Sequence, residues 1–364
     1  MRCYRLWTLC LLSATSLVFG PQLLLNAQVI VPGTGTKIAV AGDDFEDESW
    51  AYIPNNPKSS DEDDENSRFP AGYSANRRWF EGVKRGHPDL VKRIDTPAGG
   101  LAGSKGALLL QTLRSGIPNQ FLNKPMQDDF VANVISNTGG MLHVSRSPNV
   151  VCRVYLPPFE QWERRSGNTF GFRLACRGNP TRATNSEFKN SDGTETYWPG
   201  FFIWHTMPSP QRKMEESAHF ILRAGPVGQD FRGPEITREQ LGWWTLGLSC
   251  SPDGAVHYYA KQGIENLTPE DWIATERPYG YRCTHMETFF FNVLNQDNGR
   301  TWSTPWVIDD PSVYYTGPQI NPPTVKQQTV RQQPARQQTV RQPSRSTPGA
   351  SQKSAAKKKS TAGR

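Results

Sequence analysis

Arginine, histidine, tyrosine and tryptophan recur at alternate positions in several short apolar stretches of this chain. On a strand, that spacing puts aromatic rings and hydrogen-bonding heads on one face. The densest case is GWWTLGLSCSPDGAVHYYAKQG, Gly242 to Gly263. Within it, Ser251-Pro252-Asp253-Gly254 carries strong turn chemistry: Pro fixes a dihedral, Asp bonds back to the turn, and Gly accepts a left-handed conformation. If Pro252, Asp253 and Gly254 form a three-residue loop, Cys250 faces Val256, Leu248 faces Tyr258 and Leu246 faces Ala260, all apolar. The opposite face then pairs Ser249 with His257, Gly247 with Tyr259 and Thr245 with Lys261, with Trp243 at its end. Trp244 and Tyr258 are expected in the core, and Trp243, His257 and Tyr259 on the other side.

The same alternation sorts other stretches. Val150, Cys152 and Val154 oppose Arg153 and Tyr155; Phe170, Phe172, Leu174 and Cys176 oppose Arg173; Phe220, Leu222 and Ala224 oppose His219, Ile221 and Arg223. Rings mixed with long polar side chains suit sugars, whose apolar ring faces stack while their hydroxyls need donors and acceptors. Arg153, Tyr155, Trp243, His257 and Tyr259 are therefore the expected ligand-binding set. The bland alternative is the polar side of a sheet, with arginines covering aromatics.

Carboxylate chemistry is less well supported. Glu46 and Glu48 have the alternate spacing that a glycosidase pair needs, but they sit near the start of the body rather than mid-sheet. Glu215 and Glu216 are consecutive and point to opposite faces of a strand. The run SSDEDDENS, Ser59 to Ser67, has acidic density without the spacing of a calcium loop and reads as solvated. No G-x-S-x-G, H-E-x-x-H, P-loop or dinucleotide fingerprint occurs in a credible context.

The elements that must position these residues are strands. GALLLQT, NVVCRVYLP, NTFGFRLAC, GFFIWHT, AHFILRAG, GWWTLGLSC, AVHYYAK, ETFFFNVLN and WVIDDPSVYY alternate with period 2 between Gly, Pro, Asn and Asp clusters. TPEDWIATE, Thr268 to Glu276, is predicted as one short capped helix. Nine or more strands in residues 41–316 predict an all-β, two-sheet antiparallel β-sandwich.

Trp244 to Tyr259, W-T-L-x-x-S-x-x-P-D-G-x-V-x-x-Y, resembles the central hairpin of concanavalin A-like sandwiches, in particular laminin-G-like jelly rolls. DDFEDESW, Asp43 to Trp50, and WVIDDPSVYY, Trp306 to Tyr315, resemble the opening and closing strands of secreted jelly-roll and carbohydrate-binding modules. The whole body also resembles a family of bacterial exported proteins. In such modules acidic residues at the ends of the terminal strands often hold a structural Ca²⁺, and Asp44, Glu46, Asp309 and Asp310 match by position. Salt bridges and turn caps are the competing use for them. Polysaccharide lyases of this fold use Arg, His, Gln and Tyr on a concave sheet, and Arg153, His257 and Tyr259 could compose such a site. NQDNGRTWS, Asn295 to Ser303, resembles the Asp-box of sialidases. There Asp297 would cap a turn, Gly299 would take a positive dihedral and Trp302 would pack beneath; a single copy argues against a propeller.

Flanking segments complete the organisation. Residues 1–27 place Arg2 and Arg5 before an apolar run ending in LNA, the layout of a signal peptide cleaved near Ala27. Residues 28–40 read as a linker. Residues 317–364 carry ten Lys and Arg, no Asp or Glu, and the repeats TVKQQ, TVRQQ, PARQQ and TVRQP. That tail is expected to be disordered and to meet anionic polymers such as lipopolysaccharide, acidic glycans or nucleic acid without selectivity. Against a whole-chain charge of +7, the tail's ten cations and the leader's two leave residues 28–316 at about −5. With the leader excluded, Cys152, Cys176, Cys250 and Cys283 remain, an even number that suggests two disulfides in an exported chain. Three connectivities are open, of which Cys152–Cys176 with Cys250–Cys283 is the expected one. No two of these cysteines have zinc-type spacing, which argues against a metal.

Three functions remain. The first is an exported, non-catalytic binder of polysaccharide or envelope glycan whose cationic tail adds surface retention. The second is a polysaccharide-degrading enzyme, lyase or glycoside hydrolase, on the same fold, and the third is a structural envelope protein with no ligand.

Overall fold

The computed structural model describes residues 30–60, 69–117, 120–180 and 190–317. The leader through residue 29, most of the acidic run (61–67) and the tail from residue 318 lie outside them. In chain order the strands are β1 (Thr36–Gly42), β2 (Tyr52–Ile53), β3 (Tyr73–Ser74), β4 (Trp79–Glu81), β5 (Leu90–Asp95), β6 (Gly106–Gln111), β7 (Met126–Ala132), β8 (Leu142–His143), β9 (Asn149–Leu156) and β10 (Gly167–Pro180). They continue with β11 (Glu195–Tyr197), β12 (Gly200–Thr206), β13 (Ser217–Arg223), β14 (Asp230–Ile236), β15 (Gly242–Cys250), β16 (Val256–Gln262), β17 (Trp272–Glu276), β18 (Tyr281–Asn295) and β19 (Trp306–Tyr315). Among the described residues no helix is long and apolar enough to cross a membrane.

Two antiparallel sheets result. The smaller runs β17-β16-β15-β9-β19-β6-β5, with β1 on β19. The larger runs β14-β13-β12-β10-β18-β7-β4-β3-β2, with β11 on β10 and β8 on β18. All nine stretches picked out by alternation are strands, and the β-sandwich expected from them is what forms. Between the sheets lies an aromatic core. Phe201 meets Tyr258 edge-on at 5.5 Å and Phe220 meets Trp244 at 5.1 Å, each pair joining one sheet to the other. Trp79 stacks on Phe130 at 4.3 Å, and Trp306 tilts against Phe170 at 4.8 Å.

The hairpin has the three-residue register. Cys250 pairs with Val256, Leu248 with Tyr258, Ser249 with His257 and Gly247 with Tyr259. Gly254 takes a positive φ of 81°, and its N–H donates to Ser251 O at 2.8 Å. Trp244 and Tyr258 are buried in the core as expected.

Elsewhere the structure departs from expectation. TPEDWIATE starts with the expected capping box at Thr268, but the helix ends after one 3-10 turn, Pro269–Asp271, and WIATE becomes β17. Trp272 and Ile273 are better used pairing and packing at the sheet edge than in a helix too short to sustain itself. The segment read as a linker belongs to the fold from Ile30 onward: Ser249 Oγ donates to Ile30 O at 2.7 Å, and β1 pairs with β19. In NQDNGRTWS, Gly299 has the positive φ, but Asp297 reaches away to the N–H groups of Ser115 and Leu122, Asn298 caps the turn, and Trp302 is exposed.

The expected disulfides are absent: all four cysteines are free and buried. Cys152, paired with Leu246 in the smaller sheet, lies outside the group formed by the sulfurs of Cys176, Cys250 and Cys283. The Cys283 thiol donates a weak hydrogen bond to Cys250 Sγ at 3.9 Å, with no disulfide between them.

Candidate functional site

The residues expected to share one polar face lie on two different sheets. Arg153, Tyr155, Trp243, His257 and Tyr259 point outward from the smaller sheet, whereas Arg173, His219 and Arg223 point outward from the larger. Alternation fixes which residues share a side of one strand but says nothing about which strands share a sheet.

The outer face of the smaller sheet is covered. Trp243 packs with Ala107, Val307, Ile94 and Ile264, and its indole N–H lies 3.3 Å from Ala98 O. Tyr259 is enclosed by Val151, Leu267 and Val31. Arg153 is buried, bonding Ile264 O at 3.2 Å and Asn266 Oδ1 at 2.8 Å and pairing with Asp310 at 3.4 Å. His257 is tied into the hairpin by Ser251 Oγ at 2.8 Å and Thr275 Oγ1 at 2.7 Å, and burial lowers its pKa. Tyr155, half-buried, meets Trp243 edge-on at 5.4 Å. Residues 30–35, 96–104 and 263–271 lie against Tyr259, Trp243 and Arg153 in turn, and Arg153, His257 and Tyr259 are each no more than 4% exposed. The expected ligand-binding set is thus a second, minor core.

Nor do the expected calcium ligands converge. Glu46 accepts the N–H groups of Lys105 and Gly106, Asp309 accepts from Ser104 Oγ at 3.0 Å, and Asp310 pairs with Lys37 and Arg153. Asp44 is exposed and caps its own turn through the Glu46 N–H. No three of these four carboxylates bring oxygens within 4.8 Å of one another. The neighbouring Asp43 is the buried one, accepting from the Trp50 and Trp79 indoles and from Asn76.

An open cleft of about 460 Å³ lies on the outer face of the larger sheet, a size usual for ligand sites. Strand register builds its floor in rows. One row runs Ile221, Phe202, Gly171, Asn292, Asp129 across β13, β12, β10, β18 and β7. The next runs Arg223, Gly200, Arg173, Phe290, Val131. Two glycines keep this floor low. A Cβ on Gly171 would meet Asn292 Oδ1 at 2.5 Å and the Phe202 ring at 3.0 Å; one on Gly200 would meet Arg173 Cγ at 2.7 Å. Loops supply the walls, with Lys84 and Arg85 on one side and Trp198, Tyr279 and Tyr281 on the other. The Lys84 ammonium sits 5.0 Å from the centre of the Trp198 ring.

Arg173 is the centre of the charge. Its guanidinium is sandwiched between Phe202 and Phe290 at 5.2 and 5.4 Å and donates twice to Trp198 O, at 3.1 and 2.6 Å. Among the described residues it makes no ion pair, and Asp129 is the carboxylate that acts on it, from longer range. Burial pulls its pKa down to about 10, which leaves it cationic at neutral pH. Arg223 also loses hydration, but its bidentate bond to Asp230 carries its pKa up. Asp129 accepts from Asn292 Nδ2 at 2.6 Å and Gln127 Nε2 at 3.0 Å, and burial raises its pKa against the pull of Arg85. Asn292 Oδ1, buried beside Gly171, has no hydrogen-bond partner among the described residues. Trp204, 36% exposed, extends the same face beside His219. Cations between rings, next to amides, are equipped to hold an anionic group attached to a flat apolar ring.

Alternation had marked Arg173, His219 and Arg223. Phe202, Asn292, Asp129 and Tyr279 were missed, since their strands read only as apolar runs or loops. The available signal was small residues, Gly171 and Gly200, in the middle of otherwise bulky strands, which indicates close approach.

No family model matches the chain, and no curated protein matches it. Among solved structures, a carbohydrate esterase from the Shiga toxin-encoding bacteriophage phi24B shares 11% identity over 66% of this chain and 91% of its own, with a TM-score of 0.38. A marine alginate lyase from Zobellia galactanivorans shares 12% identity over 73% and 94%, with a TM-score of 0.36. An alginate lyase from Pseudomonas aeruginosa shares 10% identity over 63% and 87%, with a TM-score of 0.34.

Proposed function

We propose that this is an exported carbohydrate-binding protein of jelly-roll type, and that the cleft on its larger sheet holds an acidic polysaccharide. One observation carries the reading: Arg173, cationic and in no ion pair among the described residues, lies between Phe202 and Phe290 on the floor of the cleft. A buried cation needs a counter-anion to offset its lost hydration. Around it stand further cations, although residues 28–316 are net acidic, so the local positive charge does not follow from composition. Uronic acids offer a carboxylate on a ring whose apolar face stacks on aromatics, which matches cations set among Phe202, Trp198 and Phe290. The signal-like leader supports export, and the basic tail would add unselective retention on anionic surfaces.

Affinity electrophoresis and calorimetry of the full chain against alginate, polygalacturonate and neutral glucans test this. The acidic polymers should bind, with affinity falling as salt rises, and the neutral ones should not. Arg173→Ala should weaken binding about 10- to 100-fold, as loss of a charged hydrogen-bonding partner does. The same variant without residues 317–364 separates cleft from tail. Unaltered binding by both Arg173→Ala proteins would remove the cleft from consideration.

Catalytic β-elimination is the second reading, favoured by Tyr279. This residue holds a left-handed φ of 59°, a strained choice for tyrosine, and its phenol lies 3.4 Å from Arg223 Nη1 at the cleft wall. A lyase needs a base beside the carbon next to the carboxylate and cations or amides on the carboxylate itself. Growth of ultraviolet absorbance from unsaturated ends, abolished in Tyr279→Phe, would establish turnover; binding without it leaves a lectin-like protein.

A further inference from the structure

Cys176, Cys250 and Cys283 bring their three sulfurs within 4.8 Å of one another, all of them buried. They come from three strands and both sheets: Cys176 from β10 and Cys283 from β18 in the larger, Cys250 from β15 in the smaller. Two irregularities in the β10–β18 ladder, at Ala175/Cys176 and Arg177/Gly178, set this convergence. Such bulges re-aim side chains that a regular ladder would alternate. The hairpin turn closes the gap from the other sheet, since Cys283 N–H donates to Gly254 O at 3.0 Å.

From this geometry we propose that the three cysteines form a buried trithiolate site for a soft d¹⁰ cation, Cu⁺ or Zn²⁺, which ties the two sheets together. Sulfurs around one such ion at ~2.3 Å lie roughly 3.8–4.0 Å apart, and Cys250 and Cys283 already stand at 3.9 Å. Any disulfide would use two sulfurs and strand the third. A second feature points to the same place. The Tyr197 side chain is wholly buried, and its hydroxyl is directed at Cys283. It can donate to a bound thiolate or complete a fourth position on zinc. Thiolate ligands select these ions over harder ones.

Binding displaces protons: each sulfur that joins the ion gives its S–H proton to solvent, and no electron is transferred. Because a thiol must lose its proton to bind the ion, uptake should strengthen as pH rises. The site is independent of the polysaccharide reading, although Tyr197 also lines the cleft.

The test titrates the reduced full chain anaerobically with Cu⁺ against a chromogenic chelator and, separately, with Zn²⁺. Co²⁺ serves as a spectroscopic stand-in for zinc through its sulfur-to-metal charge-transfer band. One ion per chain is expected, with a raised melting temperature. Cys176→Ser, Cys250→Ser and Cys283→Ser should each weaken binding at least about tenfold, while Cys152→Ser, outside the cluster, should not. If a serine variant fails to fold, the corresponding alanine variant and the Co²⁺ spectrum of the natural chain keep the question open to decision. Absence of stoichiometric binding by either ion would overturn the proposal. So would equal binding by the cluster variants, or no charge-transfer band with Co²⁺ together with no uptake of Cu⁺.

Discussion

Asn292 lies directly opposite Gly171 in the β10–β18 ladder, and its Oδ1 occupies the space a Cβ on Gly171 would need, 2.5 Å away. The middle of the larger sheet is therefore flat because one strand gives up its side chain there. Asn292 and Phe202 fill that space from either side, leaving the neighbouring row free for Arg173.

Gly171→Val should displace Asn292 and break its 2.6 Å bond to Asp129. Overpacking of this kind costs about 1–3 kcal/mol, read as a lower denaturant midpoint. Polysaccharide affinity should fall as well, because the floor rises under the ligand. Intact affinity in a destabilised Gly171→Val protein would place the ligand elsewhere.

Trp243 and Trp244 make a second comparison. Adjacent on β15, they face opposite sides of the smaller sheet, yet both are buried, at 6% and 4% exposure. Each alanine substitution should cost about 3–5 kcal/mol, Trp244 by opening the main core and Trp243 by undoing the packing with Ala107, Val307 and Ile264. Neither should alter affinity for polysaccharide under conditions where the protein remains folded. Chemical denaturation with parallel binding measurements checks both halves.

Asp309 should give the fold a pH dependence. Burial, aided by the nearby carboxylates Asp310 and Glu46, raises its pKa to about 7 against the Ser104 hydrogen bond. A carboxyl with a raised folded pKa contributes stability that is complete at acid pH and lost as pH rises through about 7. Asp309→Asn should therefore match the natural chain near pH 4 and exceed it at pH 8, by a difference on the order of a few kcal/mol. Thermal melts across that range decide it.

Local sequence carried much of the fold. Ser251-Pro252-Asp253-Gly254 with its flanking alternation was enough to set the hairpin register residue by residue, because only one loop length keeps Leu246, Leu248 and Cys250 opposite apolar partners. The nine strands were equally plain, since each alternates bulky apolar residues with polar ones between turn residues. WIATE was misread, as a capping box specifies where a turn starts and not how far a helix continues.

The site was legible only in part, and the reason is geometric. Alternation put Arg153 and Arg173 each on the side away from its strand's apolar residues, and both do point away from the core. Whether such a side meets solvent depends on chain remote in sequence: residues 263–271 cover Arg153 through Ile264 and Asn266, while Arg173 lies on the floor of a cleft. Likewise, Cys176, Cys250 and Cys283 have no metal-binding spacing along the chain and meet only because two bulges and a hairpin turn bring three strands together. The sequence alone determined the strands, the hairpin and which side of each strand is apolar, all of which depend on neighbours within a few residues. Tertiary structure alone decided which polar face stays open and which cysteines converge, because both depend on packing between segments that periodicity does not relate.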